Sequence, residues 1–115
     1  MKSRKFDKLL IAVKADNEKP DMSLLSGIAI QKLAAVLTFG KIKYDAHNWR
    51  KGLAWSRVIS AAMRHMFAYI SGEDKDSESG ESHIAHAMCC LMFLLEYEET
   101  HKDKDDRYNP GGQND

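Results

Sequence analysis

Ser82-His83-Ile84-Ala85-His86-Ala87-Met88-Cys89-Cys90-Leu91-Met92-Phe93-Leu94-Leu95 is the stretch on which the fold turns. From Ile84 to Leu95 it carries no acid, lysine or arginine, so a helix here has no charged face to turn toward water. A helix that is apolar nearly all round belongs in the middle of a bundle. It extends from about Glu81 to His101 and becomes polar from Glu96 onward. The apolar part is shorter than a bilayer span requires.

Immediately upstream lies Gly72-Glu73-Asp74-Lys75-Asp76-Ser77-Glu78-Ser79-Gly80-Glu81, which packs five carboxylates into a short loop. Carboxylate oxygens hold hard cations, and imidazole joins them for borderline metals such as Mn²⁺, Co²⁺ or Zn²⁺. His83 and His86 stand at i and i+3, so both rings can meet one ion at the start of the helix. Glu73 with Asp76, and Glu78 with Glu81, add two pairs at the same spacing. The plainer alternative is a solvated acidic turn, with Ser79 or Ser82 serving only to cap the helix.

Two more helices precede the loop. Ser56 is placed to cap one that reaches Ser71, with Ile59, Met63, Met66 and Ile70 as an apolar stripe at helical spacing. Arg57, Arg64 and Ser71 fall on its opposite side, His65 and Tyr69 on a flank, and Gly72 ends it. His65 alone reads more readily as a hydrogen-bonded core histidine than as a ligand. The first helix is capped by Ser23 or Ser26 and runs to about Phe39. Ile30, Leu33 and Leu37 lie on its buried side, and Gly40 sits near its end. It continues after a kink through Tyr44.

The chain therefore predicts an all-α fold, a small bundle of three main helices in a single domain, residues 1–102. Residues 1–21 form an extended lead-in whose patch Leu9-Leu10-Ile11-Ala12-Val13 fits either a strand or a helical turn. Residues 103–115, with Pro110-Gly111-Gly112, read as a disordered polar tail.

A basic and aromatic segment joins the first two helices: Lys41, Lys43, Tyr44, Asn48, Trp49, Arg50 and Lys51. Guanidinium forks and ammonium groups suit phosphates, and an indole or phenol face can stack on a base. Alternatively, Trp49 and Trp55 plug the gap between two helices and the charges are solvated.

Composition removes several classes. Lysine plus arginine and aspartate plus glutamate are 17 each, so the formal net charge is zero, unlike a general nucleic-acid binder. There is no signal-peptide pattern, glycine-rich phosphate loop, nucleophile elbow or Cys-x-x-Cys pair. Cys89 and Cys90 are adjacent on a helix, where a disulfide between them is sterically poor. They read as small core residues of a reduced protein.

Five ordered blocks carry a family resemblance. They are Lys19-Pro20-Asp21-x-Ser23-Leu24, Leu37-Thr38-Phe39-Gly40-x-x-Lys43-Tyr44, Asn48-Trp49-Arg50-Lys51-Gly52, Arg64-His65, and Gly72-Glu73-Asp74-x-Asp76-x-Glu78-Ser79-Gly80-x-x-His83-x-x-His86-Ala87. Over about residues 18–98 the chain resembles the phage dATP/dGTP diphosphohydrolase N-terminal domain family.

The resemblance implies cleavage of dATP or dGTP between the α and β phosphates, giving dNMP and pyrophosphate with Mg²⁺ or Mn²⁺. On that reading Glu73, Asp76, Glu78, Glu81, His83 and His86 supply metal ligands, with Glu73, Asp76 and His83 closest to the chemistry. Lys43, Arg50, Lys51 and Arg64 hold phosphate oxygens. Tyr44, Asn48 and Trp49 meet the base, and His65 lines the substrate site.

The chemistry also resembles that of MazG-like all-α nucleotide pyrophosphohydrolases. Those enzymes carry Glu-x-x-Glu and Glu-x-x-Asp on two bundle helices, whereas the first two helices here are nearly free of acids. Either the metal site is rebuilt from the loop and its histidines, or the likeness to MazG is analogy.

A homodimer or larger assembly in the cytoplasm of an infected or lysogenic host is expected, with no membrane or stable nucleic-acid partner. Two other classes fit the same residues. One is a nucleotide or cyclic-nucleotide binding protein that sequesters a host immune messenger. The other is a structural metal or helix-packing protein with no small-molecule ligand.

Overall fold

In the computed structural model, which describes residues 11–111, Ser26 opens the first helix by accepting the Ala29 N–H at 3.0 Å. This helix, α1, spans Gly27–Lys43. It runs straight through Gly40, so that glycine is an interior residue and not an end. The next two helices are α2, Trp55–Ile70, and α3, His83–Thr100. Short 3-10 turns occupy Met22–Leu24, Asn48–Lys51 and Lys102–Lys104. Among the described residues there is no strand, only an isolated antiparallel bridge between Lys75 and Ser82. The all-α expectation holds. The parts of the lead-in and tail expectations that fall on residues 1–10 and 112–115 lie outside the described residues.

α3 is the central helix, as its composition demands. α1 and α2 each pack on it and scarcely on one another. Ala85 and Cys89 meet Leu33 and Val36 of α1, with Leu37, Met88 and Met92 closing around them. A second cluster joins Tyr97 to Trp55 and Val58 of α2, backed by Trp49, Leu53, Cys90 and Leu94. Phe93 contacts both clusters. Burial pushes the Cys89 thiol up to about 12, so it behaves as a small core side chain.

Two packing expectations need correction. The α2 stripe of Met63, Met66 and Ile70 faces outward, and Trp55, Val58 and Ala62 form the buried face instead. The helix has two apolar arcs, and α3 takes the one whose small Ala62 and flat Trp55 permit close approach. On α1 the buried pair is Leu33 and Val36, while Ile30 is largely exposed. The molecule is extended. A compact domain of this length has a radius of gyration of about 13 Å, and here it is 20.4 Å.

The start of α2 also differs from expectation. Its N-cap is Ala54, which offers no side-chain cap, and Ser56 lies one residue inside the helix. Asp106 supplies the missing acceptor: its carboxylate takes the Ser56 N–H at 2.8 Å and the Ser56 hydroxyl at 2.6 Å. Those two bonds hold its carboxyl below the usual range. Arg107 lies over the Trp55 ring at 5.0 Å. Asp106 and Arg107 are therefore tied to α2.

Candidate functional site

The turn from α2 into the acidic loop is built by Gly72, whose φ of 102° is open to glycine without cost. The Gly72 N–H donates to the Tyr69 carbonyl and the Glu73 N–H to the Ala68 carbonyl, both at 3.0 Å. This is the Schellman pairing that ends a helix while satisfying its last carbonyls. The loop then closes on itself. Asp76 N–H donates to the Glu81 carbonyl at 2.8 Å, Gly80 N–H to the Asp76 carbonyl at 2.8 Å, and His83 N–H to the Asp74 carbonyl at 3.0 Å. Ser82 caps α3 by accepting the Ile84 N–H at 3.0 Å. The acidic stretch is thus an ordered turn clamped to the first residue of α3.

That clamp brings three histidines together. His65 from α2 and His83 from α3 face each other with their Nδ1 atoms 2.9 Å apart. His86, one turn further along α3, stacks on His65 at 4.5 Å between ring centroids and 11° between planes. The Ser79 hydroxyl is 2.7 Å from His86 Nε2, and Asp76 Oδ2 is 3.9 Å from the same nitrogen. One ligand atom each from His65, Asp76 and His83 lies within 4.8 Å of the others, close enough to share a metal ion.

His83 is the most enclosed member, at 5% exposure. Its Nε2 is buried without a hydrogen-bond partner among the described residues. Glu73 Oε2 is 3.2 Å away but off the ring's N–H axis, so the nitrogen has a charged neighbour and no hydrogen bond. A buried polar atom left so is costly, and such atoms accompany ion sites.

The electrostatics favour neutral imidazoles. Burial, then the neighbouring His86 and His83, lowers His65. Burial also lowers His86, although Asp76 works against it. For Asp76, burial acts upward but is outweighed by the hydrogen bonds from Ser79 and by the adjacent His86, so its carboxyl lies below the usual range. A neutral His65 beside an ionised Asp76 carboxylate is the pairing of protonation states a divalent cation binds.

Of the sequence candidates, Glu73, Asp76, His83 and His86 converge here. Glu78 instead pairs with Lys43 at 2.9 Å, which brings α1 to the outer side of the loop. Glu78 and Glu81 are near enough for their charges to act on His86. His65 joins the ligand group, where the sequence had placed it among substrate contacts. Ser79 is a partner that sequence reading had considered only as a helix cap.

The basic and aromatic turn lies elsewhere. Trp49 stacks on Phe93 at 4.4 Å, and its carbonyl accepts the Tyr97 hydroxyl at 2.6 Å. Arg50 sits 4.5 Å over the Trp49 ring and pairs with Glu96 at 2.6 Å. Asn48 is half-buried, Lys51 exposed, and Tyr44 exposed with Lys43 Nζ 5.4 Å from its ring centroid. From His86 to Phe93 is seven residues along α3, about 10 Å, so the structure does not bring Trp49 or Arg50 to the histidines. Arg64, next to His65, does lie beside them and feeds its charge onto that ring.

A three-helix protein with a histidine and carboxylate cluster at a loop-to-helix junction is the class that fold and site define. Residues 12–107 match the model of the family described as dATP/dGTP diphosphohydrolase, N-terminal, and the chain belongs to that family. A dATP/dGTP diphosphohydrolase of Salmonella phage PMBT28 is 34% identical over 98 residues, covering 85% of this chain and 33% of that protein. The chain thus spans about a third of the length of this curated relative. No solved structure matches it. No helix among the described residues is long and apolar enough to cross a membrane.

Proposed function

We propose that the chain hydrolyses a purine deoxynucleoside triphosphate, dATP or dGTP, to the monophosphate and pyrophosphate. The observation that carries this is that one ligand atom each from His65, Asp76 and His83 lies within 4.8 Å of the others, in a chain of this family.

His65, Asp76 and His83 would hold a divalent ion, with His86 and Glu73 beside them. Two imidazoles and one carboxylate suit Mn²⁺ or a similar borderline ion better than Mg²⁺, which prefers oxygen. Such an ion supplies charge neutralisation and a more acidic water at neutral pH.

The protein's own groups carry the remaining roles. Glu73 is half-exposed beside His83, so its Oε2 is free to take the proton from the attacking water. The water oxygen bonds to the α-phosphorus as the bond to the bridging oxygen breaks, and pyrophosphate leaves. Ser79 fixes the His86 ring, and Asp76 is held ionised by Ser79. Arg64 and Lys43 neutralise phosphate oxygens. The Lys43 pairing with Glu78 is exposed and weak enough to exchange for substrate.

Self-association and the cytoplasm of a phage-infected cell complete this reading. Ile28, Ile42, Phe67, Ile70, Leu91 and Leu95 are all more than half exposed, an unusual apolar load for a monomer.

The test is to incubate the purified chain with each dNTP and Mn²⁺, then assay dNMP, pyrophosphate and orthophosphate. Purine-selective release of pyrophosphate, lost in Glu73→Ala and His83→Ala, is expected. Tight binding with intact nucleotide recovered afterwards would overturn hydrolysis in favour of sequestration.

A further inference from the structure

A groove between α2 and α3 extends along the first half of α2, from Leu53 and Ser56 to Arg64. Its volume is about 490 Å³, within the range of small-molecule sites. The floor includes Phe93 and Cys90 of α3, and the rim is Ser56, Arg57, Ser60 and Arg64 of α2.

Arg57 and Arg64 are seven residues apart, so they lie on one helix face about 10 Å from each other. Neither has a carboxylate partner among the described residues. Arg64 Nη1 donates only to the Ser60 hydroxyl, at 2.9 Å. Two arginines left unpaired along one concave wall repel each other, an arrangement that is relieved by an anion with charge at more than one point. Asp106, which meets this wall at Ser56, gives both carboxylate oxygens to that residue.

Arg64 is next in sequence to His65, and Cys90 is one turn from His86, so the groove and the cluster are built on the same two helices. Leu53 and Phe93 add apolar lining to the groove.

We infer that this groove holds the phosphates of the nucleoside polyphosphate, with Arg57 and Arg64 gripping the phosphate chain. This rests on the nucleotide reading above and adds Arg57, Ser60 and the floor to it.

The full chain, kept in EDTA to prevent turnover, is titrated calorimetrically with sodium tripolyphosphate, dATP and deoxyadenosine. Arg57→Ala is expected to weaken tripolyphosphate and dATP about tenfold or more, the loss of one charge-assisted contact. Deoxyadenosine binding should not change, Arg57→Lys should recover part of the loss, and Lys32→Ala on α1 should match wild type. Arg57 is exposed, so the variant should melt like wild type; if it fails to fold, Arg57→Gln takes its place. Wild-type affinity for tripolyphosphate in the Arg57 variant, or no binding of it by the wild type, overturns the inference.

The two proposals fail separately. Turnover with an unchanged KM in Arg57→Ala would remove the groove and keep the hydrolase. Arginine-dependent binding in a protein that never releases pyrophosphate would keep the groove and remove the hydrolase.

Discussion

His65 Nδ1 and His83 Nδ1 stand 2.9 Å apart, joining α2 to the first residue of α3. At that distance one nitrogen must carry the proton and the other a lone pair. A second proton would set two N–H groups against each other in a pocket where burial already disfavours charge.

This geometry predicts an acid-sensitive fold. His65 and His86 are both held below their ordinary 6.5 in the folded state, first by burial. The unfolded chain therefore takes up protons first as pH falls through about 6.5, and stability is lost from there down to the folded values. Asp76, also lowered, adds stability that disappears only at much lower pH. In EDTA, Tm should fall between pH 7.5 and 5, and His65→Gln should flatten that profile. Parallel curves for variant and wild type would show that the pair does not set the pH response.

Metal should reverse the penalty. An ion that binds only the folded state stabilises by about 2.7 kcal/mol at a hundredfold excess over Kd. For a domain of this size that is a rise in Tm of roughly 10 °C. Mn²⁺, Co²⁺ or Zn²⁺ should give it more readily than Mg²⁺, and Asp76→Ala or His83→Ala should abolish it. Equal shifts in wild type and both variants would place the ion elsewhere.

The centre of this fold was legible because Ile84 to Leu95 offers no charged arc, so no other helix could be central. The α1 start was narrowed to Ser23 or Ser26, and Ser26 is the cap. The end of α1 was less legible, because Gly40 costs a helix only about 1 kcal/mol and the neighbouring Leu33, Val36 and Leu37 packing carries the helix past it. The α2 face was misjudged for another reason. Periodicity reports apolar arcs, and α2 has two, so only the fit of Ala62 and Trp55 against α3 decides between them.

Long-range pairings were the least visible. Glu73, Asp76, His83 and His86 are close in sequence, and their convergence could be anticipated. His65 reaches them across a helix and a loop, and no spacing rule connects it to His83. Asp106 caps α2 from fifty residues beyond Ser56, and Trp49 owes its place to Phe93 and Tyr97. These partners depend on how helices cross, which a linear pattern does not record.

Tyr97 gives a test of the helix crossing independent of function. It is wholly buried, its hydroxyl donates to the Trp49 carbonyl at 2.6 Å, and it accepts the Leu53 N–H at 3.2 Å. Tyr97→Phe keeps the ring but leaves the Leu53 N–H without its acceptor and the Trp49 carbonyl with the Gly52 N–H alone, at a cost of about 1–3 kcal/mol. Chemical denaturation should show a lower midpoint with an unchanged m value. No loss would mean that water reaches Trp49 and Leu53 once the hydroxyl is gone.

Gly52 closes the same turn and should tolerate no side chain. Its φ is 98°, outside the range that other residues adopt without strain, and a methyl group there would lie 2.5 Å from the His101 ring. Gly52→Ala therefore combines backbone strain with a clash, a loss of about 1–3 kcal/mol. Removing the ring separates the two effects, because His101→Ala relieves the clash and leaves the backbone unchanged. The double variant should regain part of the stability lost by Gly52→Ala, measured against His101→Ala alone. Strict additivity of the two substitutions would show that His101 swings clear, leaving the φ of Gly52 as the whole reason for glycine at this position.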